Sequence, residues 1–118
     1  MSISLKGKTI LITGASSGIG AATARACVKA GMQCVITARR EDRLSQLTGE
    51  LGKACRTISG DVTEPGFNKQ LLEQSGDVYA IFANAGHGID QSIADCDMES
   101  FRTLFDVNLF AAVELASL

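Results

Sequence analysis

The chain contains no tryptophan, one tyrosine, one histidine and one proline. Its single imidazole, His87, and its scattered cysteines, Cys27, Cys34, Cys55 and Cys96, form no Cys-x-x-Cys pair, so the ligand spacing of a structural zinc site is missing and no metal is expected. Three of those cysteines fall inside apolar segments and read as small buried hydrophobes, which points to a reducing compartment, the cytoplasm. An excess of charge is missing too. Eleven Lys and Arg against thirteen Asp and Glu leave a formal net charge of −2, and no broad cationic field exists to hold nucleic acid or an anionic membrane. The first apolar run, after Lys6 and Lys8, is only Ile10-Leu11-Ile12, too short for a signal peptide or a spanning helix. What remains is a globular composition, 46% hydrophobic and 20% charged over 118 residues, enough for one domain that buries roughly two thirds of its unfolded surface.

Continuous apolar runs recur at residues 9–13, 34–38 and 78–83, with a weaker one at 55–59. Runs that do not alternate belong to strands buried on both faces, as in a parallel sheet covered by helices. The segments between them carry helical spacing. From Ile19 the small residues Ala22, Thr23, Ala26, Cys27 and Ala30 recur, with Gly31 as a left-handed stop. Leu44, Leu47 and Leu51 mark a second helix ending at Gly52, and Thr63 as cap, Pro65 in the first turn, Phe67, Leu71 and Leu72 mark a third. A polar loop over 84–97 leads to an amphipathic segment from Met98 that carries Phe101, Leu104, Phe105, Ala112 and Leu115. The pattern βαβαβαβα predicts an α/β fold, a Rossmann-type doubly wound parallel sheet with right-handed crossovers.

Thr13-Gly14-Ala15-Ser16-Ser17-Gly18-Ile19-Gly20 joins the first strand to the first helix. Gly14 lets the chain turn out of the strand, Gly18 allows backbone to approach a pyrophosphate, and Gly20 lets the helix pack closely on the sheet. The helix N-terminus then faces an anion. A Walker loop is excluded, because the Gly-Lys that it requires is not found after Gly14. About twenty positions on, where an acidic residue would meet the free 2′-hydroxyl of an adenosine ribose, the chain reads Ala38-Arg39-Arg40. Two guanidinium groups suit a 2′-phosphate, so NADP is expected in preference to NAD. The alternative, that both arginines merely solvate a helix start, sits poorly with the helix dipole.

These residues resemble the short-chain dehydrogenase/reductase family, whose Thr-Gly-x-x-x-Gly-x-Gly motif is matched by Thr13 to Gly20. Asp61-Val62 is similar to the pair that holds the adenine ring in that family, Asp61 through the exocyclic amine and Val62 by apolar contact. Asn84-Ala85-Gly86 is similar to its Asn-Ala-Gly signature, with Ala83 where many members have another Asn. Asn108, in Asp106-Val107-Asn108-Leu109, matches the family's active-site Asn. The resemblance thus implies that 1–118 is an NAD(P)-binding Rossmann domain. It assigns Gly14, Ser16, Ser17, Gly18, Ile19, Gly20, Arg39, Arg40, Asp61, Val62, Asn84, Ala85 and Gly86 to the cofactor and Asn108 to catalysis.

The family's catalytic Ser and Tyr-x-x-x-Lys pair are not matched: Tyr79 is the only tyrosine, and four residues beyond it stands Ala83. In the family reaction the tyrosine is acid or base on the substrate oxygen and the lysine lowers its pKa. The resemblance therefore implies the cofactor-binding part of an oxidoreductase that interconverts an alcohol and a carbonyl, truncated after the helix that follows the fourth strand and inactive alone. Its partners would be the dinucleotide, a small-molecule substrate in the complete enzyme, and further copies of itself, since the fourth strand's outer edge is expected to lie open. A noncatalytic nucleotide-binding or partner-binding module is the alternative. His87, on the substrate side of the glycine loop, reads as a solvated residue, and Asp90, Asp95, Asp97 and Glu99 as solvated charges leading into a helix N-terminus.

Overall fold

The computed structural model describes residues 4–16, 18–86, 93–95 and 97–118. Ser17, His87, Asp90 and Cys96 lie outside the described residues, so the expectations placed on them are not carried further. The elements follow in the order β1 (Thr9–Thr13), α1 (Gly18–Lys29), β2 (Gln33–Thr37), α2 (Glu41–Leu51), β3 (Cys55–Thr57), α3 (Phe67–Ser75), β4 (Ala80–Ala83), α4 (Met98–Phe105) and α5 (Ala111–Ser117). The sheet is parallel, in the order β3-β2-β1-β4. None of the described helices is long and apolar enough to cross a membrane.

Strand alternation sends Ile10, Ile12, Cys34, Ile36 and Cys55 to one face, where Ala21 and Ala24 of α1 and Leu44 and Leu47 of α2 cover them. Leu11 and Val35 go to the other face and meet Leu71 of α3 and Leu115 of α5. Each fully buried Leu or Ile contributes about 1.5–3 kcal/mol. Small residues on α1 let that helix lie close to the sheet. Cys34 and Cys55 are buried and Cys27 is half-buried, all three as free thiols. Burial, with the neighbouring Cys27 and Cys55, pushes the Cys34 thiol up to about 12, as befits a packed hydrophobe rather than a nucleophile.

The structure moves several element boundaries. β2 starts one residue earlier than expected and β4 two later, although the Tyr79 amide already donates to the Thr9 carbonyl at 2.9 Å. β3 is short, yet its pairing to β2 runs on through Ile58 N–H to Ile36 O and Gly60 N–H to Ala38 O. α3 begins at Phe67, and Thr63 does not cap it. The Thr63 amide and hydroxyl instead donate to Asp61 Oδ1, at 2.9 and 2.7 Å, and Gly66 precedes the helix at φ 83°. A local Asp turn has captured the cap residue. The last amphipathic segment is interrupted by a wider, π-helical turn at Asp106–Phe110 between α4 and α5. Of the apolar residues of that segment, Leu115 is buried, whereas Phe101 and Phe105 are each 39% exposed.

Candidate functional site

The carboxyl ends of the strands open into a cleft of about 360 Å³, within the range of ligand sites. Of the residues assigned to a cofactor from sequence, Gly14, Ser16, Ile19, Arg39, Arg40, Asp61, Val62, Asn84, Ala85 and Gly86 line it. Gly18 and Gly20, in the first turn of α1, are not among the lining residues. Sequence reasoning missed Thr37, Ala38, Gly60 and Val107 as lining residues. Thr37 and Ala38 could have been inferred, since they close the strand that delivers Arg39. Gly60 and Val107 depend on packing alone.

Glycine at positions 14 and 20 is forced by contact. A Cβ on Gly14, which sits at φ 65°, would stand 2.8 Å from Ala85 Cα, so the β1–α1 turn and the chain after β4 touch backbone to backbone. A Cβ on Gly20 would meet the Gly14 carbonyl and the Asn84 amide group. Gly20 therefore makes room for the turn itself more than for the sheet. Gly18, at φ 61°, has nothing within 4 Å of its missing Cβ, leaving open approach to the start of α1. Thr13 Oγ1 accepts from the amides of Asn84 (2.9 Å) and Ala85 (3.1 Å), and Asn84 Nδ2 donates to Gly14 O at 3.3 Å. These bonds hold the two loops in register across the cleft. A Cβ on Gly86 would lie 2.7 Å from Asn108 Oδ1, so the third residue of the Asn-Ala-Gly turn is small because Asn108 rests on it. Asn108 sits in the π-helical turn and is exposed.

At the other end of the cleft, Arg39 and Arg40 follow β2 and are both exposed. Arg40 pairs with Asp42 at 3.5 Å, and Glu41 and Asp42 in the first turn of α2 offset the dipole against the two cations. Burial alone would raise the Asp61 carboxyl. The Thr63 amide and hydroxyl and the charge of Arg39 outweigh it and hold Asp61 below the usual carboxylate range. A guanidinium thus stands in electrostatic contact with an ionised carboxylate across this end. Asp97 proves to be the N-cap of α4, and no metal-binding cluster occurs among the described residues.

The residues present fit a nicotinamide dinucleotide. Thr37 borders the cleft, and its Oγ1 is buried without a partner among the described residues. Ile19 presents an apolar side chain to the cleft while 71% exposed, a surface that a bound ring or ribose would cover.

Comparison with known proteins agrees with this geometry. A family model described as short chain dehydrogenase matches residues 8–118. The chain is 37% identical over 106 residues to a serine 3-dehydrogenase of Agrobacterium fabrum, covering 86% of this chain and 43% of that protein. It is 31% identical over 109 residues to an uncharacterised oxidoreductase of Staphylococcus epidermidis, covering 89% and 47%. A solved short chain dehydrogenase/reductase family protein superposes with a TM-score of 0.91 at 33% identity, over 98% of this chain and 49% of that one. A 3-ketoacyl-(acyl-carrier-protein) reductase from Brucella melitensis, solved with NADH, gives 0.89 at 31% identity, over 97% and 48%. The chain spans about half the length of the curated relatives it matches.

Proposed function

The chain belongs to the short-chain dehydrogenase family, and from that premise we propose that it provides the dinucleotide-binding half of an NADP-dependent oxidoreductase acting on an alcohol and its carbonyl. The observation that carries this reading is the meeting, on one cleft, of the glycine turn, Arg39, the Asp61–Val62 pair and the turn at Asn84–Gly86. The start of α1 and the Gly18 backbone would hold the pyrophosphate. Arg39 would hold the 2′-phosphate, Asp61 would accept from the adenine amine, and Val62 would bound the ring. The nicotinamide, when bound, supplies the hydride chemistry. Asn108, set against Gly86, would order a water on the substrate side. The acid/base tyrosine and its lysine are not among these 118 residues, so turnover requires them from further polypeptide.

Calorimetric titration tests the cofactor assignment. A charge-assisted contact from Arg39 is worth about 1.5–3 kcal/mol, so NADP should bind roughly ten- to a hundredfold more tightly than NAD. Arg39→Asp should reverse the order, and equal affinities or tighter NAD in the unaltered chain would defeat the assignment.

The alternative reading of the same cleft is a noncatalytic nucleotide-binding or partner-binding module. In either case homogeneous 118-residue protein should not change NADPH absorbance with ketones, aldehydes or alcohols above the uncatalysed rate. If a separate polypeptide carrying the remainder of the fold restored turnover, the module reading would fall.

A further inference from the structure

Asn68, in the first turn of α3, is completely buried. Its Nδ2 lies 3.0 Å from the Val62 carbonyl, 2.9 Å from Glu114 Oε1 and 3.5 Å from the Ala111 carbonyl. Two N–H groups cannot serve three acceptors equally, so the short contacts to Val62 and Glu114 are the principal bonds. Its Oδ1 is buried with no partner among the described residues. A site selected for packing alone would hold a leucine here, one helical turn before Leu71. An amide that leaves one oxygen unsatisfied is a costly choice there, and what it gains is direction.

The direction is informative. Val62 lines the cleft, and its carbonyl is fixed from behind by Asn68. Glu114 and Ala111 belong to α5, which begins directly after the π-helical turn that sends Val107 into the same cleft. One buried amide therefore ties two walls of the cleft that are far apart in the chain.

The geometry points to Asn68 as a positioning residue that sets the Val62 wall for the adenine ring and couples it to α5. This deepens the dinucleotide reading of the cleft and rests on it. Asn68 touches no ligand itself. It acts through Val62.

The test uses the full chain and two variants, Asn68→Leu, which keeps the branched heavy-atom shape in a bulkier side chain and removes both bonds, and Glu114→Ala, an exposed change that removes one. Without any ligand, hydrogen exchange at the Thr63 amide should quicken about tenfold in Asn68→Leu and by a smaller factor in Glu114→Ala, measured relative to Leu11 in the sheet. With ligand, 2′,5′-ADP should bind roughly tenfold more weakly to Asn68→Leu, while pyrophosphate, a probe of the glycine turn alone, should bind within twofold of the unaltered chain. A general loss of stability would move Thr63 with Leu11 and both ligands together, and that result, or no change at Thr63 in either variant, overturns the proposal. If Asn68→Leu fails to fold, Glu114→Ala decides by the same exchange ratio. Should the unaltered chain bind neither probe, the dinucleotide reading falls on its own, and the ligand-free exchange still tells whether Asn68 orders the loop.

Discussion

Thr13 shows how much a single hydroxyl can organise. It is almost fully buried at the end of β1 and accepts from two amides of the chain that follows β4. The Asn84 amide has a second acceptor in the Phe82 carbonyl, so the Ala85 amide depends most on Thr13. Thr13→Val preserves shape and leaves that donor stranded, at a cost of about 1–3 kcal/mol. Urea unfolding should show the loss in the midpoint with an unchanged slope, and an unaltered midpoint would mean that the loop finds another partner. Asp61 is a second residue-scale device: against the opposing effect of burial, the Thr63 amide and hydroxyl, with the charge of Arg39 added, hold its carboxyl below the usual range.

At the scale of elements, helix ends are closed by residues from near and far. Asp97 accepts from the Glu99 amide at 3.2 Å and, through its other oxygen, from the Ser100 amide at 3.4 Å and hydroxyl at 2.9 Å. The Ser100 hydroxyl and then the Glu99 amide hold its carboxyl below the usual aspartate range, against a smaller opposing effect of burial. For a carboxylate lowered in the folded state, the stabilisation is fully present above the unfolded value and is lost as pH falls through the folded one. α4 should therefore keep its first turn at neutral pH and fray on acidification below the ordinary aspartate range. Asp97→Ala should show the same fraying at neutral pH, seen as faster exchange of the Glu99 and Ser100 amides. Equal protection in the variant would assign the cap elsewhere. The far end of α3 is closed from β3, where Arg56 donates to the Gln74 and Ser75 carbonyls at 2.9 and 3.2 Å, a cation placed where the dipole favours one.

For the whole molecule, the sheet order places β4 at an edge, paired only with β1 among the described residues. Because Tyr79 N–H bonds to Thr9, parallel alternation turns the amides of Ala80 and Phe82 away from β1. Beside this edge Tyr79 and Ile81 are exposed, as is Leu118 at the end of α5. An open apolar edge templates association. The 118-residue chain should self-associate at micromolar concentration, as sedimentation would show, with Ala80 and Phe82 protected only in the associated form. A stable monomer in which those two amides exchange slowly would contradict this strand order.

What the sequence determined by itself was whatever depends on near neighbours and residue type. The unbroken apolar run of β1, the glycine turn that follows it, the small-residue face of α1 and the parallel sheet were all legible, because backbone sterics and side-chain period act within a few residues. So were most of the cleft residues, since each closes a strand and strand ends converge in a parallel sheet. Tertiary structure decided the rest. Asn68 meets Ala111 and Glu114 across 43 and 46 positions, Gly86 is small because Asn108 rests on it, and Leu115 is buried because Leu11, Val35 and Leu71 reach it. Such choices are made by whichever partner the completed packing brings within hydrogen-bond distance, and distance along the chain carries no record of it.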